Sequence, residues 1–433
     1  MTITARSFAA LPLSLVLVLG SFYASAQKVS SEGWAELSAG KEFYVEVPMI
    51  DNKDLKDYGI GRDIVAESVI NSVRYAGKHP DIHHVVFKMD TGGGSLMHAE
   101  AMQDVIERYH TNTEFHIVIQ DAISAGIWTA FSCDTIFMCR AGTIGGATAY
   151  YQLSSDQVMV AGDIPEIAAR LAITAKRNGY PPQLIEPLML MKTELHTWLD
   201  EDGERVLSQT KPEDAGALNE YKMLDRDDTV LTLTTEDAIE IGIARPIAGF
   251  DAQLVGKQIG VPGWTRANRY GEVIDEIGTL YNTTRVMEDQ WVQTQLNLDR
   301  FPITPQNRNN QWIKDMRNER NKHVKLVEAL RMMNKALNEL PNIHPERHIY
   351  LEGEDGTTIV ADAEAWRRDA RDARGLASRL VAGMRELVDC YKDLEIDTNN
   401  LDHIQEQVDA INARITGIAN AGSVAYWQRQ ESE

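Results

Sequence analysis

Ser124 lies in Asp121-Ala-Ile-Ser-Ala-Gly-Ile-Trp-Thr-Ala-Phe131, about thirty residues after the glycine run Asp90-Thr-Gly-Gly-Gly-Ser95. A serine flanked by small residues, where an apolar strand passes into a helix, keeps its hydroxyl clear for nucleophilic attack on an acyl group. A glycine turn can offer backbone N–H groups to a developing oxyanion, because no Cβ blocks the approach of substrate. These are two of the three parts of a serine acyl-transfer site, and no base stands beside them. The same residues also have a plain structural reading. Ser and Gly commonly open helices, and Gly92–Gly94 would serve any turn that needs positive φ.

From about 42 to 250 the chain alternates strand-like and helix-like runs. Strands are expected at 43–48, 84–89, 115–120 and 133–138, and helices at 63–75 and 96–109, with Ser124 opening a short one. The segment 141–147 reads as a glycine-rich turn, 164–178 as a helix closed by Gly179 and Pro181, and 200–228 as a polar surface excursion. Near 230–242 a strand meets a helix capped by Thr234 or Thr235 and stopped at Gly242. The β-α-β-α-β order implies a parallel sheet with right-handed crossovers. Functional sites in such sheets gather at the carboxyl ends of the strands, where both glycine turns and Ser124 fall.

After about 265 long polar helices take over. Leu376, Leu380, Met384, Leu387 and Tyr391 mark one stripe. Leu401, Ile404, Val408, Ile411, Ile415 and Ile418 form a heptad seam that could meet a helical partner. A hairpin is expected near 347–360, around Asp355-Gly356. The expected division is 1–26 as signal peptide, 27–262 as the sheet domain, and 263–433 as a helical bundle or coiled-coil region. Residues 1–26 carry Arg6, an apolar run and Ala24-Ser25-Ala26, the pattern of a cleaved export signal, with an uncleaved N-terminal anchor as the rival. Export to the periplasm or beyond follows either way.

The formal charge of −21 argues against nucleic acid or an anionic membrane surface as partner. Cys133 and Cys139 are expected in one buried strand, pointing to one face, with Cys390 in a helix core. No metal-ligand spacing occurs and no cofactor is expected. His83-His84 reads as a loop or sheet edge.

Three motifs carry a resemblance: Val85 to Ser95, Ser124-Ala-Gly126 with Thr143-Ile-Gly-Gly-Ala147, and Leu231 to Ala244. In their order and spacing they resemble the Clp-type, crotonase-fold serine proteases, nearest to the NfeD-type membrane-bound proteases and signal peptide peptidase A. The similarity spans roughly 40–260, with Gly92 where the family has proline. It implies an α/β, crotonase-like (ClpP-type) fold, an acyl-enzyme endopeptidase acting on peptides that include membrane-associated ones, and assembly into homo-oligomers. It further implies Ser124 as nucleophile and the N–H groups of Gly93 and Ala125 as the oxyanion hole. The base departs from the pattern. No histidine occurs between His116 and His196, and 155–169 hold no lysine. Arg170 stays charged and cannot accept a proton. Lys176 is the nearest candidate, beside Arg177 at what reads as an exposed helix end, with Lys192 and His196 more distant. Three functions stay open: an exported serine endopeptidase using Ser124 and a lysine, an inactive scaffold of the same fold, and crotonase-type acyl-thioester chemistry. Export argues against the last, because acyl-CoA is cytosolic.

Overall fold

The computed structural model describes residues 33–53, 58–148, 150–154, 157–160, 165–226, 229–300, 304, 306, 308–352 and 358–421. The expected export signal lies outside them. The first elements are α1 (Trp34–Ser38), β1 (Glu42–Ile50), α2 (Ala66–Lys78), β2 (Ile82–Thr91), α3 (Leu96–Tyr109), β3 (Glu114–Ile123), α4 (Gly126–Phe131) and β4 (Thr135–Gly145). β1, β2, β3 and β4 pair in parallel in that order. Such a sheet is buried on both faces, so its strands read as near-continuous apolar runs. Val85, Phe87 and Met89 join Ile117 and Ile119 on the face under α2 and α3, while Val86 and Val118 pack with Tyr44 on the other. Fully burying each such side chain is worth about 1.5–3 kcal/mol. In α3, Ala99, Met102, Val105 and Ile106 are buried at helical spacing, but Met97 in its first turn is 70% exposed.

The next elements are the hairpin β5 (Tyr150–Ser154) and β6 (Gln157–Val160), α5 (Pro165–Arg177), α6 (Ile185–Met189), β7 (Leu195–Leu199), β8 (Arg205–Ser208) and β9 (Asn219–Asp225). Then come β10 (Thr232–Thr234), α7 (Thr235–Glu240), β11 (Arg245–Pro246), α8 (Gln253–Ile259) and β12 (Trp264–Arg266). β10 and β11 both pair with β4, and β12 pairs with β1, giving a seven-stranded sheet. The stretch 200–228, expected as a polar excursion, instead supplies two strands of a small antiparallel sheet ordered β8-β7-β9. β8 and all of β9 but Asp225 are half-buried or exposed, which explains the polar composition. The glycine-rich 141–145 is also strand, not turn: β4 runs on through it, and Gly145 pairs with Thr232 of β10. Cys133 precedes β4, back-bonded from Sγ to Thr129 O in a helical turn, so strand parity does not apply to it. It packs on the helix-covered face and Cys139 on the opposite one. Thr234 does cap α7, in a reciprocal capping box with Asp237.

The remaining elements are α9 (Tyr270–Asp299), α10 (Gln311–Ile343), β13 (Tyr350–Glu352), β14 (Thr358–Val360), α11 (Ala363–Asp393) and α12 (Asp402–Ala421). They enclose a second core that includes Leu330, Leu337, Leu380, Leu387 and Val408. The seam residues Leu401, Ile404, Val408, Ile411 and Ile415 are buried there, within this chain. β13 and β14 pair as the expected hairpin, Tyr350 opposite Val360.

Candidate functional site

The register of the sheet assembles the site. Thr91 at the end of β2 stands opposite Ala122 of β3. Two residues further on, Gly93 comes level with Ser124. A Cβ built on Gly93 would lie 2.4 Å from Ser124 Cβ and 3.0 Å from its Oγ, so the serine fills the space that the glycine leaves. Gly93 has φ +110°, and Gly94 has φ +144° with its own missing Cβ 2.4 Å from Ile60 O. Only glycine fits both positions.

Ser124 itself adopts φ +51°. A non-glycine residue in that region carries strain of about 1–3 kcal/mol, which the surroundings must hold in place. The Ser124 N–H donates to Gly145 O (2.9 Å), and its own carbonyl accepts from Ile127 N–H (3.2 Å). β3 thereby turns sharply into α4, whose residues are all buried. Ser124 is half-buried, and no described residue hydrogen-bonds its hydroxyl.

The glycine loop rests on Asp51, which follows β1. Thr91 Oγ1 donates to Asp51 Oδ1 (2.8 Å) and Gly92 N–H donates to Oδ2 (2.7 Å). Asp51 is 5% exposed, and burial raises its pKa against the lowering effect of these two bonds. The Gly93 N–H turns inward and donates to Thr91 Oγ1 (3.0 Å), so the oxyanion donor expected there is already engaged. The N–H groups of Gly94 and Ala125 have no acceptor among the described residues. Ala125 is 3% exposed, and buried backbone donors seldom stay unpaired without purpose.

Lys176 is not brought to this corner. It sits exposed in the last turn of α5. Around it, Thr174 donates to Glu107 (2.7 Å), Arg177 pairs with Glu107 (2.9 Å) and Asn178 donates to Phe131 O (2.8 Å). Glu107 and Phe131 close α3 and α4, whereas the glycine loop and Ser124 precede the first turns of those helices. From Ser95 to Glu107 the helical rise alone is about 18 Å. Arg170 pairs with Glu100 (2.6 Å). Lys192 is exposed after α6, and both ring nitrogens of His196 are taken, by Glu194 and by the Tyr221 hydroxyl (2.9 Å each). Lys53, near the carboxyl end of β2, bonds Asp90 (3.3 Å), and that bond raises its pKa and keeps it protonated.

The sequence carries no sign of the Asp51–Thr91–Gly92 buttress, because its parts come from two strand ends forty residues apart. It also missed His84, Glu114 and His116, which gather three ligand-type atoms near the amino ends of β2 and β3. The only available signal was a histidine or glutamate at the start of each of two expected parallel strands.

No protein-family model and no curated protein sequence matches the chain. Among solved structures, two mutants of a membrane-bound stomatin-specific protease are similar. One, in complex with a substrate peptide, is 16% identical, covering 51% of this chain and 80% of that one at a TM-score of 0.33. The other is 14% identical, covering 50% and 84% at a TM-score of 0.32. Scores this low carry no weight beside the site's own geometry.

Proposed function

We propose that the sheet-bearing half is an exported serine hydrolase of the endopeptidase type, forming an acyl-enzyme through Ser124. One observation carries this reading: Ser124 is held at positive φ on a strand-to-helix corner, its unengaged hydroxyl packed against a glycine loop. Strain of this kind persists only where neighbours enforce it, and it gathers at reacting groups. In the reaction, Oγ attacks a peptide carbonyl as its proton passes to a base, and the carbonyl oxygen gains negative charge. In this reading the Ala125 N–H, at the start of α4, receives that charge together with the Gly94 N–H, the other donor without an acceptor among the described residues. Collapse expels the amine with a proton from the base, and water then releases the acyl group by the same steps in reverse. The exposed Met97, following the loop, offers an apolar contact to a substrate side chain.

A second reading is favoured by a specific observation. Lys176, the first lysine after Ser124 in the chain, lies at the far end of α3 and α4. Without a base, the same corner would be a retained scaffold whose role passes to the helical region and its partners. A fluorophosphonate probe separates the two. Labelling of the wild-type chain at Ser124, lost in Ser124→Ala and kept in Lys176→Ala, supports a hydrolase with another base. Labelling lost in both variants restores Lys176 to the site. Absence of labelling from pH 6 to 10 leaves the scaffold.

A further inference from the structure

We propose that His84, Glu114 and His116 form a binding site for a zinc-class divalent ion, at the opposite end of the sheet from Ser124. The strands run parallel, so His116 and Ile123 mark opposite ends of β3, about 23 Å apart. His84 Nδ1 lies 3.2 Å from His116 Nε2 and 3.6 Å from Glu114 Oε2, and His116 Nε2 lies 3.8 Å from the same oxygen. A circle through three points so spaced has a radius of about 2.1 Å, the length of a Zn–N or Zn–O bond. The three atoms therefore already stand where one ion could touch them all.

The surroundings suit that ion. His84 and His116 are 6% and 2% exposed, so their rings are held in fixed positions by packing. Trp264 closes one side, its ring 4.9 Å from His84 and 6.3 Å from His116, and it stacks on Tyr44 behind. The Glu114 side chain is 66% exposed, so the other side opens to water, which would supply a fourth ligand. The second nitrogen of His84, Nε2, lies 3.7 Å from Glu42 Oε1, beyond hydrogen-bond reach, and that oxygen bonds His83 Nδ1 instead. His116 Nδ1 is buried without a partner, and Arg245 is the nearby cation that opposes binding. Two imidazoles and one carboxylate select zinc, cobalt, nickel or copper over magnesium or calcium. An ion here would cross-link β2 to β3 without touching the Ser124 corner.

The test uses the untagged full chain, equilibrated with Zn²⁺ in excess Mg²⁺ and then dialysed, with retained metal measured by mass spectrometry. Binding of Co²⁺, followed by its visible absorption, reports the ligand set independently. The expected result is one equivalent of Zn²⁺ per chain, lost in Glu114→Gln and in His84→Asn. Glu114 is exposed, so its variant keeps the fold, and circular dichroism verifies this. Failure to retain zinc, or retention at unchanged affinity in Glu114→Gln, overturns the proposal. Fluorophosphonate labelling is a separate readout, so the metal site stands or falls independently of the hydrolase.

Discussion

If Ser124 packs into the gap at Gly93, then Gly93→Ala must injure the protein in a way that a change at Ser124 partly repairs. The added methyl would sit 2.4 Å from Ser124 Cβ, 3.0 Å from its Oγ and 3.0 Å from Ile123 O. Overpacking of that kind costs about 1–3 kcal/mol. Holding an alanine at φ +110° costs about 1–3 kcal/mol more, for about 2–6 kcal/mol together. Gly179→Ala is the control. It has φ +85° but nothing within 4 Å of its missing Cβ, so only the backbone cost of about 1–2 kcal/mol applies. Ser124→Gly removes both the Cβ and the Oγ from the clash, and at φ +51° glycine is tolerated. In the double variant the contact with Ile123 O and the backbone cost remain, while the side-chain clash is gone. The coupling between the two changes should therefore be about 1–3 kcal/mol in favour of the pair. The assay is native-state hydrogen exchange of β2 and β3 amides, which reads the stability of the sheet apart from the helical region. Additivity within about 0.5 kcal/mol would mean that Ser124 does not face Gly93. The nucleophile reading would then lose its geometry.

Two further outcomes follow from buried carboxylates. Asp51→Asn keeps the shape of the side chain but turns one of its two acceptors into an NH2 donor, so the Thr91 hydroxyl and the Gly92 N–H can no longer both donate to it. A loss of about 1–3 kcal/mol is expected, seen as faster exchange of the Gly92 amide and slower fluorophosphonate labelling of Ser124. Glu346 is 6% exposed with its Oε2 unpaired, and burial pushes its pKa up to about 7 against the opposing pull of Arg414. A carboxyl whose folded pKa is raised contributes stability that is complete below its unfolded value of 4.5 and lost as pH climbs through about 7. Chemical denaturation should therefore show the helical region weaker at pH 8 than at pH 5, by up to about 3 kcal/mol from this group. Asp275, raised to about 7 by the same cause, adds to the slope. Glu346→Gln should flatten it in part, and the double variant with Asp275→Asn should leave the opposite slope of His344, whose pKa burial lowers to about 3 so that stability falls below pH 6.5. An unchanged slope in the double variant would show that these carboxyls are not protonated in the folded state.

What could be read from the sequence was what neighbouring residues decide among themselves. α3 spans 96–109 as its helical periodicity requires, and the Thr234–Asp237 capping box is complete within four residues. The parallel order of β1 to β4 follows from the helices that separate them. Readings failed where the deciding partner lay far along the chain. Gly142 and Gly145 look like a turn until β10, some ninety residues later, pairs with 143–145 and holds that stretch extended. Cys133 and Cys139 share a face only if the strand begins before Cys133, and the close of α4 prevents that. Distance along the chain from Ser124 points to Lys176, but α5 runs beside α3 and carries that lysine to the far end of the helix. Register is the common element. It brings Gly93 level with Ser124 at one end of β2 and β3, and His84 beside Glu114 at the other. No local pattern encodes register, because it is settled by which apolar face each strand must bury. A one-residue slip of β3 against β2 would send Ser124 to the opposite face and separate the histidines. Loss of the Gly93–Ser124 coupling together with loss of zinc binding in a β3 register variant would therefore trace both sites to one structural cause.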